Sequence, residues 1–192
     1  MKAYFVGAQS TGKSTLARHV AANYGLPLVT EVVRELKAKR ELASLDHLRV
    51  DVQAAAEFQR DILTLQVQKE AEAGEHFISD RACDFLAYTA LHTLSAKSLL
   101  MSEQCQAYLE SLRQPDHWVF LVRPHAFMVK PDHDRSTLDC EWEEVCRVDG
   151  AIEAILELQG IPYFPVASRG MKDRIRLVEG ILNLAMHLEK TV

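Results

Sequence analysis

Residues 7–14 read GAQSTGKS, and the spacing of Gly7, Gly12, Lys13 and Ser14 matches the G-x-x-x-x-G-K-[ST] pattern of a Walker A loop. Glycines let backbone N–H groups curl around an anion, a lysine ammonium reaches the outer phosphates, and a hydroxyl serves as an oxygen ligand for Mg²⁺. The loop therefore predicts binding of a nucleoside triphosphate, with Gly7, Gln9, Ser10, Thr11, Gly12, Lys13, Ser14 and Thr15 around the phosphates. Mg²⁺ is expected on Ser14, supported by Asp80, because FISD at 77–80 puts a carboxylate where a Walker B acid organises the metal shell. An Asp after a short apolar run also suits an ordinary turn.

Further candidates follow the other apolar runs. Glu31 comes directly after the run at 26–30, where a carboxylate can take the proton of a hydroxyl attacking the γ-phosphate. It reads equally as a helix-start acid favoured by the dipole. Arg34, one helical turn on, and Arg81, beside Asp80, are grouped on the acceptor side. The polar segment at about 123–140 breaks periodicity and reads as a lid carrying Arg123, Lys130, Asp132, His133, Asp134 and Arg135. Arg135 is the candidate to stabilise charge on the transferring phosphoryl group, against the alternative of a solvated loop. His133, flanked by acids, suits a metal or a solvated turn. Ser168, Arg169 and Arg174 fall where a nucleotide base is commonly met; an arginine plane stacking on adenine competes there with plain surface charge.

These positions need a scaffold that brings strand ends together. Apolar runs at 3–6, 26–30, 77–79, 118–122 and 162–166 alternate with helical spacing at 14–23, 45–73, 85–94, 98–112, 142–158 and 173–188. Gly25 and Gly74 stop the helices before them. The alternation predicts an α/β fold, and with the Walker A loop after the first strand a P-loop NTPase: a five-stranded parallel sheet with helices on both faces and a short lid, formed by residues 1–192 as a single domain. In such a sheet the phosphate loop sits at a helix N-terminus, and its catalytic partners project from the C-terminal ends of neighbouring strands.

A formal charge of −5 argues against nucleic acid as a partner, since duplex binding depends on many Lys and Arg contacts to phosphate. The four cysteines form no C-x-x-C pair, and no apolar run approaches the roughly 20 residues that span a bilayer. A cytoplasmic protein with no membrane contact is expected.

The residues resemble a family of small P-loop kinases and ATPases that includes the ribosylnicotinamide kinase domains of NAD salvage proteins. The resemblance rests on GAQSTGKST at 7–15, EVVRE at 31–35, DRACDFLAY at 80–88, DHDRS at 132–136 and DR at 173–174. It implies phosphate and Mg²⁺ roles for Lys13 and Ser14, metal support by Asp80, acceptor contacts by Glu31 and Arg34, and a lid role for Arg135. Gln9 stands where that pattern has an acid, His133 stands at the lid glycine, and no Trp or Tyr flanks Glu31. The implied activity is transfer of the γ-phosphate of ATP to a hydroxyl of a small, nucleoside-like acceptor. A switch ATPase read by a partner, or a kinase of nucleic-acid 5′-hydroxyls, remains as an alternative.

Overall fold

The structure, a computed structural model, describes residues 1–30, 32–41, 45, 48, 50–129 and 141–189. Its centre is a five-stranded, wholly parallel sheet in the order β2-β3-β1-β4-β5. The strands are β1 (Lys2–Val6), β2 (Leu28–Val29), β3 (Phe77–Ser79), β4 (His117–Val122) and β5 (Tyr163–Val166). Side chains alternate between the faces of a strand, and the core divides accordingly. Ala3, Phe5, Ile78, Phe120, Val122 and Val166 pack on one face with Leu16 and Val20 of α1 (Lys13–Tyr24) and Val178 and Leu182 of α8 (Met171–Glu189). Tyr4, Val6, Val119 and Leu121 face the other way, into a larger cluster. That cluster is built from α2 (Val32–Lys39), α3 (Val52–Ala73), α4 (Asp84–His92), α5 (Ala96–Leu100), α6 (Glu103–Leu112) and α7 (Trp142–Leu158).

Three expected boundaries move, each for a local reason. Helix α3 begins at Val52, not near 45, because the Asp51 side chain accepts a hydrogen bond from Ala54 N at 2.9 Å and caps it. Leu45 and Leu48, whose spacing mimicked a helix, are buried beside the cleft described below. The stretch at 98–112 is two helices, since Ser102 accepts from Cys105 N at 3.3 Å and starts α6 afresh. The polar run after β2 folds into α2, whose Val32 and Leu36 are buried at one-turn spacing.

Candidate active site

The loop between β1 and α1 is held open by backbone geometry that few residues tolerate. Gly7 has φ 146°, and a Cβ there would come within 2.5 Å of the Val122 carbonyl oxygen. Gly12 has φ 90°, and a Cβ would meet the Met171 methyl at 2.8 Å. Ser10 adopts φ 58° between them, so the loop turns tightly at its middle. Thr11 Oγ1 donates to Ala8 O at 3.0 Å and tightens the turn further. Lys13, the first residue of α1, folds back: its Nζ donates to Ala8 O and, at 3.4 Å, to Thr11 Oγ1. The ammonium is thus buried within the curl of the loop, at the positive end of α1, where phosphate is electrostatically favoured. Gln9 and Thr11 are buried, Ser10 and Ser14 half-buried, and Thr15 is exposed.

Two residues from distant parts of the chain pin this loop. Asp84, 1% exposed at the start of α4, accepts from Gly7 N at 2.8 Å through Oδ1 and from Ala82 N at 3.0 Å through Oδ2. Arg174, fully buried on α8, donates to the backbone oxygens of Thr11, Ser168 and, at 2.9 Å, Arg123. Its guanidinium joins the phosphate loop to the ends of β4 and β5. Both expectations for Arg174, stacking on adenine and plain surface charge, are therefore corrected: the side chain is 0% exposed, with no face open to a base or to solvent. Neither role was visible in sequence, because an acid in a first helical turn and an arginine near a helix start are both ordinary. The DR at 173–174 and the D-R-x-x-D spacing at 80–84 were the only signals.

Asp80 stands where the sequence placed it, at the end of β3 beside β1, with its backbone N donating to Val29 O at 2.9 Å. Its Oδ1 is buried and has no hydrogen-bond partner. An orphaned carboxylate oxygen costs roughly 1–3 kcal/mol, so it marks a place where a donor or cation belongs. A carboxylate oxygen of this kind, like the Ser14 hydroxyl at the start of α1, is the hard oxygen type of donor that suits Mg²⁺. On the other side of β1, Arg123 reaches Asp149 at 2.9 Å and Glu153 at 2.6 Å on α7. Burial pushes the Asp149 carboxyl up to about 6, although Arg123 and Lys13 act in the opposite direction. Arg123 is thereby assigned to an internal ion-pair cluster.

Next to the loop lies a cleft between α2, α3 and α4. Phe58, Ile62 and Phe85 form its apolar walls, and Gln66, Arg81, Asp84, Tyr88 and His92 supply polar groups. Arg81 is only 6% exposed, and its guanidinium approaches Asp84 Oδ1 at 3.8 Å. Its φ of 135° is rare for a residue with a side chain. Tyr88 donates to Gln9 Oε1 at 2.9 Å, which joins the cleft directly to the phosphate loop. His92 pairs with Glu144 of α7 at 2.9 Å and closes the far end. Of the predicted acceptor residues, Arg81 lines this cleft. Arg34 is exposed on α2, where Val33 faces the cleft instead. Glu31 and the lid residues Lys130, Asp132, His133, Asp134 and Arg135 lie outside the described residues. Ser168 contributes its carbonyl to Arg174, and Arg169 is exposed.

The model of the AAA domain family matches residues 2–174. The chain belongs to the AAA domain family. No curated protein sequence matches it. Among solved structures, deoxyadenosine kinase from M. mycoides, with the products dCMP and a flexible dCDP bound, superposes with a TM-score of 0.67 at 18% identity, covering 96% of this chain and 100% of the kinase. Shikimate kinase from Acinetobacter baumannii, in complex with shikimate, gives 0.59 at 14% identity over 97% and 93% of the two chains. The NadR protein in complex with NR gives 0.59 at 18% identity, over 88% of this chain and 44% of its own. At such identities the likeness establishes the fold: this member of the AAA domain family has the α/β architecture of small P-loop kinases, as the sequence predicted.

Proposed function

We propose that the protein is an ATP- and Mg²⁺-dependent kinase that transfers the γ-phosphate to a hydroxyl of a small, nucleoside-like acceptor. One observation carries the reading: a half-apolar cleft with a buried arginine abuts the phosphate loop and is tied to it twice, through Asp84 to Gly7 N and Tyr88 to Gln9. A protein that only hydrolyses nucleotide has no need of a second cleft tied to the phosphate loop at that point. Apolar walls with a few convergent polar groups are the usual make-up of a small-molecule site.

In this reading the loop amides, Lys13 and the α1 terminus hold the triphosphate, and Arg81 orients the acceptor over it. The acceptor oxygen forms a bond to the γ-phosphorus as the bond to the β,γ-bridging oxygen breaks. ADP leaves with that electron pair, and Glu31 takes the hydroxyl proton. Ser14 and Asp80 would hold Mg²⁺, which when bound neutralises phosphate charge. Arg135 is assigned to the charge spreading over the transferring group, and residues 1–192 to one catalytic unit. Free cysteines at Cys83, Cys105 and Cys146 and the net charge of −5 support a cytoplasmic protein with no nucleic-acid partner. No helix among the described residues is long and apolar enough to cross a membrane.

The test is ATP consumption with a panel of nucleosides, nucleotides, vitamin precursors and oligonucleotide 5′ ends, with mass spectrometry of the products. A phosphorylated acceptor, lost in Glu31→Gln while ATP affinity holds, is the expected result. Slow hydrolysis with no acceptor modified would overturn the reading in favour of a nucleotide switch.

A further inference from the structure

Gln66, 1% exposed, forms part of the cleft lining, and behind it runs a buried chain of hydrogen bonds that the proposed chemistry does not use. Glu70 Oε1 accepts from Gln66 Nε2 at 2.6 Å and from the Tyr108 hydroxyl at 2.8 Å, and Tyr4 reaches Oε2 at 3.5 Å. The same Gln66 nitrogen donates to Ser79 Oγ at 2.9 Å. Ser79 Oγ in turn donates to the Arg81 carbonyl at 2.8 Å.

The direction of this relay is fixed by its far end. An ionised carboxylate only accepts, so Gln66 must aim its NH₂ group at Glu70, and the second proton of that group falls on Ser79. The Ser79 hydroxyl, already accepting, is left with its own proton for Arg81. Arg81 needs such a restraint: its φ of 135° is a conformation that persists only where surroundings hold it. We propose that Glu70 is a positioning residue, which through Gln66 and Ser79 fixes the backbone of Arg81 and so the guanidinium presented to the acceptor. The inference rests on the kinase reading for its catalytic consequence, and on the relay alone for its structural one.

The groups facing Glu70 are Tyr4 and Lys2 from β1, Tyr108 from α6 and Gln66 from its own helix; Asp116 faces Tyr4, and Cys83 faces Tyr108. Burial outweighs the three donors and Lys2 and raises the Glu70 carboxyl to about 7. Above that pH the relay runs as described. Below it Glu70 carries a proton and can donate, and the direction of the Gln66 amide is no longer imposed.

The experiment uses the full chain and two variants, Glu70→Gln and Ser79→Ala, neither of which removes a cleft side chain. The Ala82 amide nitrogen belongs to the peptide unit whose oxygen accepts from Ser79, so its ¹⁵N shift reports that hydrogen bond. In wild type it should titrate with a midpoint near 7, together with the Gln66 side-chain NH₂. Glu70→Gln should abolish both responses; Ser79→Ala should abolish the Ala82 response and leave that of Gln66. With an acceptor in hand, Ser79→Ala should raise its KM about three- to tenfold, the worth of one hydrogen bond, with ATP affinity unchanged. An Ala82 shift that ignores pH in wild type, or that titrates equally in both variants, overturns the relay. An unaltered acceptor KM in Ser79→Ala overturns its role in positioning. Failure of wild type to phosphorylate any acceptor would strike the kinase reading alone, with the amide titration still deciding the relay.

Discussion

Lys13 shows how one side chain serves two states. Before nucleotide arrives its ammonium is satisfied inside the loop, on Ala8 O and Thr11 Oγ1, so it stiffens the turn it will later use to hold phosphate. Lys13→Ala should therefore weaken ATP binding by about 10- to 100-fold, the worth of a charge-assisted hydrogen bond. It should also lower the melting temperature of the free protein slightly. Calorimetric titration with ATP and a thermal melt check both parts. Asp84 is the less obvious counterpart. Asp84→Ala leaves the buried N–H groups of Gly7 and Ala82 without an acceptor, and each such orphan costs about 1–3 kcal/mol. A clear drop in stability, with ATP affinity falling alongside it, is the expected outcome of denaturant unfolding and nucleotide titration. Stability within 0.5 kcal/mol of wild type, about the scatter of neutral surface changes, would show that Asp84 does not anchor the loop. Asp80→Asn should lower activity in a manner partly restored by excess Mg²⁺, read from rate against metal concentration, since its unpaired oxygen is the feature that fits a cation shell.

At the scale of elements, the phosphate loop was legible because its chemistry dictates fixed residue types at fixed intervals along a continuous segment. The strand cores at 77–79 and 118–122 were legible because both faces of the sheet are covered and their apolar runs are unbroken. What sequence could not convey was contact between segments far apart. Asp84 and Arg174 acquire their roles only when β3, β4 and β5 bring their ends to the loop, and Glu70 looks like any acid on a long helix until Tyr4 and Tyr108 close over it. Local signals also misled: Leu45 and Leu48 carry helical spacing, yet the Asp51 cap starts α3 after them. That cap sits just ahead of the turn bearing Ala55 and Phe58, which line the cleft. Asp51→Ala should cost about 1 kcal/mol and fray that turn. Acceptor KM should rise while ATP affinity holds, which steady-state kinetics against each substrate would separate.

For the whole molecule, the buried Glu70 makes stability depend on pH in an unusual window. Burial raises its folded carboxyl from the ordinary 4.5 to about 7. Its contribution is therefore full below about pH 4.5 and declines as pH rises through 7, because the folded state resists the charge that the unfolded chain accepts freely. Glu70→Gln removes that decline. The melting temperature of the variant relative to wild type should climb between pH 5 and pH 8; a constant difference across that range would show that the carboxylate ionises without penalty.

The Arg174 clamp has a consequence for the way the chain comes into being. Its guanidinium meets Thr11 O across 163 residues of sequence, so the phosphate loop leaves the ribosome well before its restraint does. Synthesis proceeds at about 5–20 residues per second, so the unclamped loop persists for roughly ten seconds or more. During that interval a nascent chain carries the full nucleotide signature without the geometry to use it. Competence for nucleotide then arrives with the docking of α8, a form of quality control in which only a chain translated to that point can hold ATP firmly.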